Sequence, residues 1–118
     1  MCLDTRIHRK PPKTGIVYKR FFRVPNGTVL RCIFQDYIAL HLNTRTKDPR
    51  PRICLTLLTG GSYISGYHAY RDLRSARATK GYNEVIVKCR YWSPTVIGKQ
   101  GGHVVIVART IKPLKVIE

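Results

Sequence analysis

Apolar and polar positions alternate along most of this chain, and strands are the elements that such alternation predicts. GIVYKRFFRV over 15–24 is the first clear strand. Pro25-Asn26-Gly27 suits a tight hairpin turn, with 28–34 as the returning strand and 37–42 extending the sheet after Gln35-Asp36. A polar loop over 43–52 carries Arg45, Lys47, Arg50 and Arg52, and a short apolar strand over 53–58 follows, closed by Gly60-Gly61. Residues 83–92 alternate as a core strand should, and 93–102, SPTVIGKQGG, read as a flexible loop. Residues 103–108 are apolar at successive positions, as in a strand covered on both faces. A break at Pro113 then leaves a short tail.

In the middle of the chain the period changes. Residues 62–66 read as a strand, and a helix is expected to start at Tyr70 or Arg71, with Asp72 in its first turn, where a negative charge favours the helix dipole. Leu73, Ala76 and either Ala69 or Arg77 form a narrow apolar stripe, and Lys80-Gly81 is a helix stop in which the glycine turns left-handed. So short a helix is stable only against a sheet. The expected fold class is therefore α+β: a curled, mainly antiparallel sheet of about six strands with one principal short helix packed on it. It forms a single domain over 15–118, preceded by a basic N-terminal arm over 1–14 that ends in Pro11-Pro12-Lys13.

Charge changes the picture more than any motif. Among 118 residues there are 22 Lys and Arg against 6 Asp and Glu, a net +16 with a pI near 10.3. A hydrophobic share of 43% excludes a disordered basic tail. Such a chain repels itself and needs anions around it, so nucleic acid, a nucleotide or an acidic protein surface is the expected partner. A membrane is not expected, because no strongly amphipathic basic helix and no long apolar run occur. Cys2, Cys32, Cys54 and Cys89 have no metal-ligand spacing, the last three lie among apolar neighbours, and no apolar leader follows Met1. A reducing cytoplasm with free thiols is the expectation, with no metal and no cofactor.

Candidate chemistry follows from charge and aromatics. Arg71, Arg74, Arg77 and Lys80 recur every three residues and fan across the helix, either as a solvated face or as a phosphate-binding ridge. His68, between Tyr67 and Tyr70, either contacts a phosphate at the helix start or holds the strand–helix junction through backbone hydrogen bonds. Gly98 to Gly102 either cradles a phosphate with Lys99 as its charge or is a plain hairpin. Aromatics interleave with cations at Tyr18–Arg23, Tyr67–Arg71 and Arg90–Trp92, either for base stacking beside phosphate contacts or as half-buried strand positions whose cationic neighbours face out. The expected ligand-binding residues are Tyr67, His68, Arg71, Arg74, Trp92 and Lys99. An enzyme with Cys2 as an N-terminal nucleophile is a further alternative, as is a protein inhibitor that covers an acidic host factor.

Met1-Cys2-Leu3, Gly66-Tyr67-His68-Ala69-Tyr70, Glu84–Lys88 and Val104–Ala108 together resemble a group of small bacteriophage proteins. Those proteins share a Met-Cys start and a Gly-(Phe/Tyr)-His-aromatic step before a short helix. The resemblance implies a phage accessory protein in a bacterial host cytoplasm, one that counters host defence by binding nucleic acid, a signalling nucleotide or a host protein.

Overall fold

The alternating pattern folds into long, bent antiparallel strands. The computed structural model describes residues 3–7, 9–23, 29–32, 39–50, 52–56 and 61–118. Among them are ten strands: β1 (Thr5–Arg6), β2 (Thr14–Phe22), β3 (Val29–Cys32), β4 (Ala39–His41), β5 (Thr46–Lys47), β6 (Ile53–Leu55), β7 (Ser62–Ile64), β8 (Tyr67–Tyr70), β9 (Glu84–Gln100) and β10 (His103–Val116). The helix, α1 (Leu73–Thr79), lies between β8 and β9.

Strand β9 is the spine. Its first half pairs with β2 from Glu84 to Trp92, its other edge pairs with β10 from Val87 to Gln100, and its far end takes β1. The free edge of β10 takes β8 at 105–108 and β5 at 110–111. β8 reaches β2 at one residue pair, Tyr70 opposite Tyr18, so β2, β9, β10 and β8 curl into a closed ring. β3 and β4 continue the sheet from β2, while β6 and β7 form a separate hairpin.

Period two decides what each face buries. Val87, Cys89 and Tyr91 of β9 point into the ring with Val17, Phe21, Tyr67, Ile97, Ile106 and Ile111. A second cluster packs on the other side, where Leu3, Tyr63, Tyr70, Ala76, Ile86, Val96, Val105 and Val107 come together. Covered on both faces, β10 is buried at every position from Val105 to Ala108, as its sequence predicts.

The mainly antiparallel sheet with one short helix matches the expected class, but ten strands replace the expected six or so. Several local expectations are corrected. Residues 93–100 are strand, and only Gly101 and Gly102, at φ 57 and 81, make the turn into β10. Pro113 does not end β10; it sits at a register shift in the ladder, where a missing N–H is tolerated. Tyr70 belongs to β8 and Asp72 is the helix N-cap, its Oδ1 accepting from Ser75 N at 2.7 Å, so the first turn contains no acid. The left-handed residue after α1 is Asn83 (φ 63), whereas Gly81 donates its N–H to Glu84 Oε1. From the segment set apart as an arm come β1 and the fully buried Leu3. The expected turn at Pro25-Asn26-Gly27, the kink at Gln35-Asp36 and Gly60 lie outside the described residues.

Candidate nucleic-acid interface

Where alternate residues of β9 leave the core, they place cations on the outside of the ring. Lys88, Arg90 and Trp92 alternate with the buried Val87, Cys89 and Tyr91. Their neighbours across the ladder complete three rows. Trp92 lies between Thr14 and Thr110, and Thr110 also pairs with Lys47. Arg90 lies between Ile16 and Lys112, and Lys88 between Tyr18 and Lys115. Two of these rows set one cation directly against another. Such pairs repel, by roughly 0.2–1 kcal/mol each in an ordinary sheet.

The guanidinium of Arg45 stacks on the Trp92 ring, 4.0 Å from its centroid, which fixes a sixth cation at the edge of this field. Among the described residues no Asp or Glu occupies these rows. Asp4 accepts from Gly101 N, Asp48 is buried and accepts from Arg50 N, Asp72 caps α1, Glu84 holds Arg20, and Glu118 holds Arg77. The field ends toward α1. There Ile86, the next residue on this face, is buried with Ala76, and its neighbour Arg20 binds Thr79 O and Glu84.

The six residues singled out in the sequence do not converge. Tyr67 is about 1% exposed and belongs to the inner core. His68 is buried on β8, where Nε2 meets the Tyr63 hydroxyl at 2.9 Å and Nδ1 faces Gly66 O at 3.2 Å. Gly66 O only accepts, so Nδ1 carries the proton and Nε2 accepts from Tyr63. Tyr63 in turn accepts from Leu3 N at 2.9 Å, so His68 ties the N-terminal segment to the strand junction. Burial, with the nearby Lys19 charge adding to it, pushes the His68 pKa down to about 3. The Lys19 Nζ donates to His68 O at 2.9 Å.

Of the candidates outside the core, only the half-buried Trp92 lies in the cationic field. Lys99 is seven residues along β9, roughly 23 Å away at strand rise, and its carbonyl accepts from Asp4 N. Of the two readings of Gly98–Gly102, the hairpin is the one seen: Gly98 and Lys99 are strand, Gly101 and Gly102 make the turn, and the Gly101 N–H is taken by the Asp4 carboxylate. Arg74 is exposed on α1, and Arg71 lies at the rim of a cavity beside the start of β2. Within the fan on α1, Arg77 is neutralised by Glu118.

The sequence reading missed Lys88, Lys112 and Lys115, although the alternation of Lys88, Arg90 and Trp92 with apolar residues carries the signal. Their partners on β10 are not readable without the register. Cys32 and Cys89 are buried thiols and Cys54 is half-buried; Cys2 lies outside the described residues. Among the described residues no group of three or more His, Cys, Asp or Glu is placed to hold a metal ion, and no helix is long and apolar enough to cross a membrane.

These features define a class: a small, basic, closed antiparallel sheet with one outer face on which, among the described residues, the cations meet no carboxylate. Neither a protein-family model, nor a curated protein, nor a solved structure matches this chain.

Proposed function

We propose that this protein binds the phosphate backbone of nucleic acid across the outer face of β5, β10, β9 and β2, as a small accessory factor of the kind the phage resemblance implies. One observation carries the reading: Arg90 opposite Lys112 and Lys88 opposite Lys115, with no carboxylate in their rows among the described residues. Repulsion of that kind is relieved when a polyanion lies over the rows and releases its counterions. Lys88 and Arg90 alternate at about 7 Å along β9, a spacing that lets them serve successive phosphates of one strand. Arg45 lies over the Trp92 ring, which keeps its donors near the field's edge. Contacts of this kind position a backbone and do not read bases, so the binding is expected to be weakly dependent on sequence.

Neutralising the face tests this. In fluorescence anisotropy with a short labelled DNA strand, the Arg90→Gln/Lys112→Gln variant should bind at least tenfold more weakly than the wild type. Arg77→Gln, which removes a cation already paired with Glu118, should bind within about twofold of wild type. Equal losses in the two variants would assign the affinity to net charge instead of this face. Binding of an acidic protein in place of DNA would support the inhibitor reading.

A further inference from the structure

A second basic site lies apart from the cation field, at the mouth of the ring. Beyond the single Tyr18–Tyr70 pair, β2 and β8 are no longer bonded, and a cavity of about 370 Å³ opens there. That volume lies within the range of small-molecule sites, about 300–1,000 Å³. Its inner walls are apolar, formed by Ile97, Ile106 and the Tyr91 ring, with Ile16 at its edge. Its rim carries Arg9, Lys10 and Arg71, and among the described residues no Asp or Glu lines it.

The walls are held in place. Tyr91 donates its hydroxyl to Pro12 O at 2.9 Å, pinning the Arg9–Pro12 segment as one side of the cavity. Thr14 Oγ1 donates to Tyr91 O at 2.7 Å. At Gly15 a side chain would press on the Tyr91 ring, since a Cβ there would come within 3.1 Å of it, so the glycine lets β2 lie close against the ring. Arg71 is tethered through its backbone, N–H to Val104 O at 3.1 Å. The nearest acid in sequence, Asp72, is committed to Ser75, whose N–H holds the Asp72 carboxyl below the usual range.

We propose that this cavity binds an organic phosphate monoester with a flat apolar body, nucleoside monophosphates being the fitting class. The phosphate would sit between Arg71, Arg9 and Lys10 at the rim, where guanidinium groups match its oxygens. The body would lie across the mouth, over the narrow edges that the otherwise buried Tyr91, Ile97 and Ile106 show there. Because the Tyr91 hydroxyl is already committed to Pro12, the walls offer little to read a base's hydrogen-bonding edge. The site therefore discriminates for the terminal phosphate and for a flat body, and only weakly between bases.

Calorimetry with AMP, UMP, adenosine and inorganic phosphate, at about 0.15 M salt to screen the outer face, tests this on the full chain. AMP and UMP should bind within about threefold of each other with Kd below about 1 mM. Adenosine and inorganic phosphate should each bind at least tenfold more weakly. Arg71→Gln should weaken AMP at least tenfold, while Arg90→Gln/Lys112→Gln leaves it unchanged and so separates this site from the nucleic-acid face. Amide chemical shifts of the wild type, which need no variant to fold, should move at Gly15, Ile97 and Ile106 when AMP is added. Shifts confined to Lys88, Arg90 and Lys112, or AMP binding no tighter than phosphate, would overturn the proposal.

Discussion

His68 makes two hydrogen bonds that only the neutral ring satisfies together, accepting from Tyr63 and donating to Gly66 O. Its folded pKa, about 3, lies below the ordinary value of 6.5. The unfolded chain therefore binds the extra proton first as pH falls. Stability is full above about pH 6.5 and declines as pH drops toward 3, by roughly 3–5 kcal/mol across that window. Urea unfolding at pH 7, 5 and 4 should give steadily falling midpoints, and His68→Gln should be less stable at pH 7 but show a flatter decline. An unchanged slope in that variant would place the pH sensitivity elsewhere. Thiols follow the same logic of burial, which pushes Cys89 up to about 12. In native protein, Cys54 should react with a thiol reagent well before Cys32 or Cys89; rapid labelling of Cys89 would contradict the packing described. A residue's partner was the part of this that the sequence left open. Both roles of His68 were readable from Gly66-Tyr67-His68-Ala69-Tyr70, and only the fold shows Tyr63 and Leu3 on its far side.

Strand positions with clean alternation, β2 and the first half of β9, were legible because period two is a property of the chain itself. The second half of β9 was not. Ser93, Pro94, Gly98, Gly101 and Gly102 carry turn chemistry, and it is the long ladder with β10 and β1 that overrides it. Gly98 is there for close approach: a Cβ would come within 2.3 Å of Thr5 O and 2.7 Å of Leu3 Cδ1. Gly98→Ala should therefore lift β1 and lower stability by about 1–3 kcal/mol. The exposed neighbour Lys99→Ala should stay within about 0.5 kcal/mol of wild type. Thermal melts of the two side by side check this, and equal stability would restore the flexible-loop reading of 93–102. The helix was found at the right place but starts later than expected, because Tyr67–Tyr70 pairs with β10 and Asp72 caps the turn that follows.

Taken whole, the molecule carries its +16 unevenly. Some cations are tied to the few carboxylates, as Arg20 is to Glu84 and Arg77 to Glu118. Others, as Arg90 and Lys88, lie opposite a further cation on β10, and composition alone cannot tell the two kinds apart. Arg90-Tyr91-Trp92 pointed to one edge of the cation field, and the basic 43–52 segment supplied Arg45 and Lys47, but the register of β9 against β10 was needed to join them. The most direct test is the salt dependence of binding to single-stranded DNA. If Arg45, Lys47, Lys88, Arg90, Lys112 and Lys115 each meet a phosphate, log K should fall against log salt with a slope of about −4, and Arg90→Gln/Lys112→Gln should bring that to about −3. A wild-type slope near zero, or the same slope in the double variant, would contradict a phosphate backbone lying across this face.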